Sequence, residues 1–151
     1  MSNLKGQIII VLILGLTFSS CKQNNVDGII IEETLYTHQD FKSNRQFRNL
    51  IKRTLQKDEK ALAELNKFWC GGGAGCYDLG FVITQIIYKL GEKEVIQMVN
   101  RLENEETRGI KSLIAAGLEY GDNDKDGKMD KKRMEDEFPE LLKLLKAKTK
   151  K

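Results

Sequence analysis

The stretch of this chain with the most specific chemistry is a short run rich in carboxylates. Residues 122–130 read Asp-Asn-Asp-Lys-Asp-Gly-Lys-Met-Asp. Acidic side chains at alternate positions supply several oxygen ligands from one loop, and hard cations such as calcium prefer oxygen ligands. The glycine permits the sharp turn that a loop needs to wrap around an ion. The spacing therefore predicts a cation site.

This spacing resembles the calcium-binding loop of EF-hand proteins and the related loops of dockerin modules. The resemblance implies calcium as the cofactor. It implies side-chain ligands from Asp122, Asp124 and Asp126, a backbone carbonyl ligand from Lys128, and a direct or water-mediated contact from Asp130.

One position departs from the EF-hand pattern. Arg133 stands where such a loop has a glutamate that gives two oxygens to the ion. Arginine has no oxygen to give, so Glu135, Asp136 or a water would have to complete the shell. Two interpretations stay open at this point. One is a calcium loop, and the other is a solvated turn in which Asp130 caps the last helix.

The cysteine pair Cys70 and Cys76 encloses the segment Gly-Gly-Gly-Ala-Gly. In an exported domain, two cysteines this close in sequence predict a disulfide. A redox-active pair typically has the Cys-X-X-Cys spacing, and a phosphate-binding loop has Lys and Ser or Thr after its glycines. Two thiolates also make only half of a zinc site. We therefore predict a structural disulfide that fixes the turn between two helices.

The sequence contains no recognisable catalytic constellation. His38 is the only histidine, and it lies at the start of a helical pattern. The acidic pairs at 32–33 and 105–106 are adjacent in sequence, so their carboxylates point in different directions on a helix. We therefore expect no enzyme. The formal charge of +3 is modest and the acids are interspersed, so we also expect no nucleic-acid partner.

The first residues have the composition of an export signal. Lys5 gives a positive end, residues 8–16 are the apolar run IIIVLILGL, and residues 17–21 read Thr-Phe-Ser-Ser-Cys. This layout is typical of a secretory signal peptide. The run is too short for a membrane-spanning helix, which needs about 20 apolar residues.

The small residues before Cys21 resemble the lipobox of bacterial lipoproteins, although Phe18 stands where that family most often has leucine. The resemblance implies that residues 1–20 are a signal peptide that is removed, and that Cys21 is acylated, for example with palmitate. The lipid would hold the protein on a membrane. Lys22 replaces the aspartate that retains such proteins in the inner membrane of enteric bacteria, which favours the outer membrane. Residues 21–30 are then the lipidated cysteine and a tether.

Helical periodicity dominates residues 31–151, which we expect to form a single all-α domain, a compact bundle of about five to six helices. Ile29 to Ile31 predict a short extended segment. Helices are predicted over residues 41–55, Glu59–Trp69, Asp78–Leu90, 95–102 and 110–120, and from Asp130 to about Lys146. Asp58 and Asp78 are the predicted N-caps of the second and third of these helices. A break is expected near Phe138, because Pro139 follows it.

Two functions from different classes fit this sequence. The first is a non-catalytic envelope lipoprotein whose helical domain binds another envelope or surface protein. The second is a calcium-dependent binding module in which the acidic loop orders the last helix and so forms the binding surface. An immunity or inhibitor protein is a third idea that no residue singles out. The first two differ in whether calcium stabilises the fold.

Overall fold

The computed structural model describes residues 24–149, so Cys21 and the predicted signal peptide lie outside the described residues. The described chain is mostly helical, with eight α-helices and a small two-stranded sheet, which confirms the prediction of an all-α fold. Among these helices, none has both the length and the apolar composition needed to cross a membrane.

The strands are β1 (Asn25–Val26) and β2 (Ile29–Ile30). The helices are α1 (Glu33–Thr37), α2 (Phe41–Leu55), α3 (Glu59–Asn66), α4 (Ala74–Leu90), α5 (Glu92–Arg101), α6 (Ile110–Tyr120), α7 (Met134–Glu137) and α8 (Pro139–Lys148), with a short 3-10 helix (Glu105–Thr107) between α5 and α6.

Helix α4 lies at the centre of the bundle, because its sequence is apolar on most sides and its aliphatic side chains are buried. It packs most extensively against α6. Gly80 of α4 and Gly117 of α6 face each other, and a Cβ on either glycine would overlap the backbone of the other helix. The two helices can therefore approach more closely than side chains would allow.

The core is continuous and runs from Val26 in β1 to Leu145 in α8. A single core of this kind defines one folding unit. A chain that begins at Lys22 contains every core residue of the described part, so we expect it to fold without the N-terminal segment.

Residues 24–30, the described part of the segment expected to be a tether, belong to the folded domain. β1 and β2 form an antiparallel hairpin, and Val26 and Ile29 are almost fully buried. The Ile30 N–H donates to the side-chain oxygen of Gln85 at 2.8 Å, and the Gln85 amide donates back to the Ile30 carbonyl at 2.9 Å. The packed chain thus begins at about Asn24 and not at residue 31, because burial of these apolar side chains stabilises the hairpin on the bundle.

Helix α3 is capped as predicted but is shorter than predicted. The Asp58 carboxylate accepts from the Ala61 N–H at 3.1 Å, yet the helix ends at Asn66. The Asn66 amide donates to two backbone carbonyls beside the 3-10 helix, which ties the end of α3 to that segment. Trp69 lies beyond the helix and is 66% exposed, so the prediction that the helix extends to Trp69 was wrong.

Helix α4 begins at Ala74 and not at Asp78, because the positive φ of Gly73 turns the chain into the helix earlier. Asp78 therefore lies inside α4. Its Oδ2 accepts from the Leu35 N–H at 3.0 Å, so it caps the first turn of α1 instead of its own helix. Burial raises the pKa of Asp78, and this hydrogen bond opposes that rise.

The last helical region is broken at Phe138 as predicted, and Pro139 opens α8. The first helix of this region, α7, begins at Met134 and not at Asp130, and Asp130 does not cap it. The N–H groups of Lys131 and Lys132 instead donate to the carbonyls of Glu119 and Leu118 at 3.2 and 3.0 Å. These bonds hold residues 131–132 against the end of α6, and the helix begins only after them.

Candidate metal site

The acidic loop joins α6 to α7 and brings three of its carboxylates together. One carboxylate oxygen from each of Asp122, Asp124 and Asp130 lies within 4.8 Å of the other two. Calcium binds oxygen at about 2.3–2.6 Å. Oxygens with this separation are therefore close enough for one ion to contact all three.

Asp130 is the most unusual member of this group, because its side chain is only 1% exposed. Its Oδ2 accepts from the Asn123 N–H at 2.8 Å and lies 3.4 Å from the Lys132 ammonium. Its Oδ1 is buried and has no hydrogen-bond partner. An unpaired buried carboxylate oxygen is costly, and a bound cation would remove that cost.

The electrostatic surroundings keep Asp130 ionised. Burial raises the pKa of this carboxyl. The hydrogen bonds from Asn123 and the positive charge of Lys132 together lower it by more than burial raises it, so the pKa of Asp130 lies below its usual range. The carboxylate is therefore deprotonated at neutral pH. That is the form that a metal ion requires.

Backbone N–H groups wrap the loop around its first two acids. The Asp126 N–H donates to Oδ1 of Asp122 at 2.9 Å and to Oδ1 of Asp124 at 3.2 Å. The Gly127 N–H donates to Oδ2 of Asp122 at 3.0 Å. Lys125 and Gly127 both have positive φ angles, 64° and 82°, which produce the sharp turn.

The group of three does not include all the ligands that the resemblance implies. The Asp126 carboxylate is not part of it. This carboxylate instead accepts from the Lys128 N–H at 2.9 Å and lies 3.7 Å from the Lys128 ammonium. Glu135 and Asp136 lie on α7 and are also outside the group.

Asn123 anchors the loop to the bundle, a role that sequence reasoning missed. Its side-chain amide donates to the Gly117 carbonyl at 3.0 Å, and its Oδ1 accepts from the buried Thr84 hydroxyl at 2.8 Å. Its backbone N–H holds Asp130. Thr84 is distant in sequence, so no local pattern signals this contact.

The Glu32 carboxylate, which lies outside the loop, interacts electrostatically with an acid of the loop. Burial raises the pKa of Glu32, and so do the negative charges of Asp78 and Asp122. Glu32 lies directly before α1, so two separate parts of the chain place acids near one another. A cation in the loop would relieve part of this repulsion.

A surface groove of about 350 Å³ lies beside the loop, lined by Glu119, Tyr120, Met129, Lys131, Lys132 and Arg133. Met129 is 61% exposed. Tyr120 stacks on Tyr77 of α4 with ring centroids 4.5 Å apart. The groove thus combines apolar side chains with three cations and one acid, Glu119. Met129, which lines the groove, directly precedes Asp130 in the sequence.

The predicted disulfide between Cys70 and Cys76 is confirmed, with Cα atoms 4.9 Å apart. It links the chain after α3 to the first turn of α4. Residues 71–73 all have positive φ angles, which three glycines adopt without strain.

The described residues therefore form a mostly helical domain with one converging carboxylate loop. No protein family, no curated protein and no solved structure matches the chain. The geometry of the loop and of its neighbouring surfaces is thus the basis for a function.

Proposed function

We propose that this protein is a lipid-anchored module of the bacterial envelope that binds calcium in its acidic loop and a partner protein beside that loop. The buried Asp130 carboxylate carries the calcium assignment, because its Oδ1 has no hydrogen-bond partner. It converges with Asp122 and Asp124. A calcium ion would supply the missing partner and neutralise the mutual repulsion of the acids.

The expected affinity is low. Arg133 occupies the position of the missing bidentate glutamate, and it lies at the N-cap of α7. Extracellular modules bind calcium with dissociation constants of about 10⁻⁴–10⁻³ M. A site of that strength suits an exported domain, where calcium would order the loop structurally.

Thermal unfolding of the chain from Lys22, in EDTA and then in millimolar calcium, tests this proposal. We expect a rise in the midpoint with calcium and not with magnesium. At ten times its dissociation constant, a ligand stabilises the native state by about 1.4 kcal/mol. Asp124→Ala should abolish this rise because it removes one of the three converging carboxylates.

Glu140→Gln is the matched control, because it removes an exposed acid in the first turn of α8 and should leave the calcium effect unchanged. Asp126→Ala then decides whether this residue is a ligand, as the resemblance implies. An equal calcium response in the native chain and in Asp124→Ala would exclude the site.

The groove beside the loop supports the partner-binding part of the proposal. Tyr120 and Met129 offer apolar contacts, while Lys131 and Arg133 supply positive charge against the single acid Glu119, and Lys132 is paired with Asp130. Charge complementarity favours an acidic segment of the partner that carries an apolar side chain. Since Met129 and Lys131 flank Asp130, an ion held by Asp130 would fix two walls of the groove.

Calcium-independent binding of the partner is the second candidate. It is favoured by the backbone bonds from Lys131 and Lys132 to the end of α6, which shape the groove with protein contacts alone. The two candidates differ in one observable. EDTA releases the partner if calcium orders the groove, and has no effect if it does not.

A further inference from the structure

We infer that the outer face of α2 lies on the anionic lipid headgroups of the membrane that holds the protein. The inference rests on the proposed acylation of Cys21 and is independent of the calcium site. Three features carry it, namely the length of the tether, the charge of α2, and two exposed aromatic side chains.

The link between Cys21 and the folded domain is short. The described chain begins at Asn24, and Val26 is already buried in the core. Three residues span at most about 11 Å when fully extended. This reach is comparable with the depth of one headgroup layer. The domain must therefore rest against the membrane surface and cannot project far from it.

The hairpin determines which face is held there. β1, the first strand after the anchor, contacts α2, so the chain leaves the membrane beside this helix. α2 contains five basic residues and no acid. Exposed side chains at helical spacing form its outer face, and these are Lys42, Arg45, Asn49, Lys52 and, just after the helix, Gln56.

The neighbouring acids offset only part of this charge. Asp40 precedes α2 and interacts electrostatically with Lys42, whereas Asp58 lies beyond the C-terminal end of the helix. Arg53 pairs with Asp58 and Glu64 and is therefore not counted in the face. Lys42, Arg45 and Lys52 carry the attraction to anionic lipid.

Two aromatic side chains are exposed at the N-terminal end of this face. Phe41 is 84% exposed and Trp69 is 66% exposed. The Gln39 side chain donates to the Trp69 carbonyl at 3.5 Å. The Phe68 ring lies 4.8 Å from the Phe47 ring of α2. These contacts hold Trp69 beside the first turns of α2. Phe and Trp next to cations are typical of surfaces that enter a lipid interface.

Trp69 is the only tryptophan, so its fluorescence reports this face directly. The lipid-modified protein is reconstituted in vesicles of phosphatidylglycerol and phosphatidylcholine whose acyl chains carry bromine, which quenches indole on contact. We expect Trp69 to be quenched in the native protein. The quenching should be lost in the triple variant Lys42→Gln, Arg45→Gln, Lys52→Gln.

The matched control is the triple variant Lys111→Gln, Lys143→Gln, Lys146→Gln. It removes the same charge from exposed positions of α6 and α8 and should keep the quenching. Equal quenching in the two triple variants, or none in the native protein, would overturn the inference.

Binding of the lipid-free chain from Lys22 to the same vesicles separates the face from the anchor. Each cation at an anionic surface contributes about fivefold in affinity, so the α2 triple variant should bind roughly a hundredfold more weakly. The control variant should bind like the native chain. If mass spectrometry finds Cys21 unmodified, the proposed anchoring fails, while the affinity ratio of the two variants still decides the role of the face.

Discussion

The Asp130 and Lys132 pair is the most informative feature at the scale of single residues. The Lys132 ammonium lies 3.4 Å from Oδ2 of the buried Asp130 carboxylate and 5.8 Å from the centroid of the Tyr88 ring. The Lys132 ammonium therefore pairs with one of the two oxygens of this carboxylate. The other oxygen has no hydrogen-bond partner. Lys132 thus competes electrostatically with a metal ion for the same group.

We expect Lys132→Gln to raise calcium affinity, because it removes a positive charge next to the ion. A partly exposed charge pair is worth about 0.5–1 kcal/mol, which corresponds to about two- to fivefold. The increase should shrink at high salt. Isothermal titration calorimetry measures it, and the exposed Lys125→Gln in the same loop is the control. Unchanged or weaker binding in Lys132→Gln would contradict a metal ion at Asp130.

The crossing of α4 and α6 is the decisive feature at the scale of elements. Asn123 joins the acidic loop to both helices, through Thr84 of α4 and the Gly117 carbonyl of α6. The position of the loop therefore depends on how closely these helices approach. Gly80 and Gly117 make that approach possible.

Gly117→Ala should destabilise the domain, although alanine in place of glycine normally stabilises a helix by about 0.5–1 kcal/mol. The new Cβ would overlap the Gly80 backbone and force the helices apart, at a cost of about 3 kcal/mol. Urea unfolding followed by circular dichroism measures the change. Ser112→Ala, on the exposed side of α6, should shift stability by less than about 0.5 kcal/mol. A stabilised Gly117→Ala variant would disprove the close crossing.

The N-terminal hairpin connects the proposed membrane anchor to the core at the scale of the whole molecule. Val26, Ile29 and Ile31 are almost fully buried, and Gln85 of α4 bonds both backbone groups of Ile30. The chain from Val26 onward is thus part of the bundle. Detachment of the hairpin would expose the core.

A chain that begins at Glu32 should lose its cooperative unfolding transition, whereas a chain that begins at Asn24 should keep it. The shorter chain lacks three buried side chains, each worth about 1.5–3 kcal/mol, and a domain of this size is stable by only about 5–15 kcal/mol. Thermal melts followed by circular dichroism compare the two. Equal midpoints would mean that the hairpin is a tether, and would contradict a membrane-facing α2.

The sequence alone determined the features that depend on neighbouring residues. Helical periodicity predicted the long helices, because apolar side chains recur on one face over consecutive turns. The Asp58 cap and the break at Phe138 involve contacts within a few positions. Cys70 and Cys76 are separated by only six positions, so their pairing in a disulfide could be predicted from the local sequence.

Only the tertiary structure decided the features whose partners are far apart. Asp78 caps α1 and not its own helix, and Asn123 reaches Thr84 across 39 positions. The alternating acids predicted a loop, but burial of one Asp130 oxygen without a partner depends on packing against α4 and α6. A local pattern specifies which groups are available, whereas burial and long-range hydrogen bonds determine which of them are left unpaired.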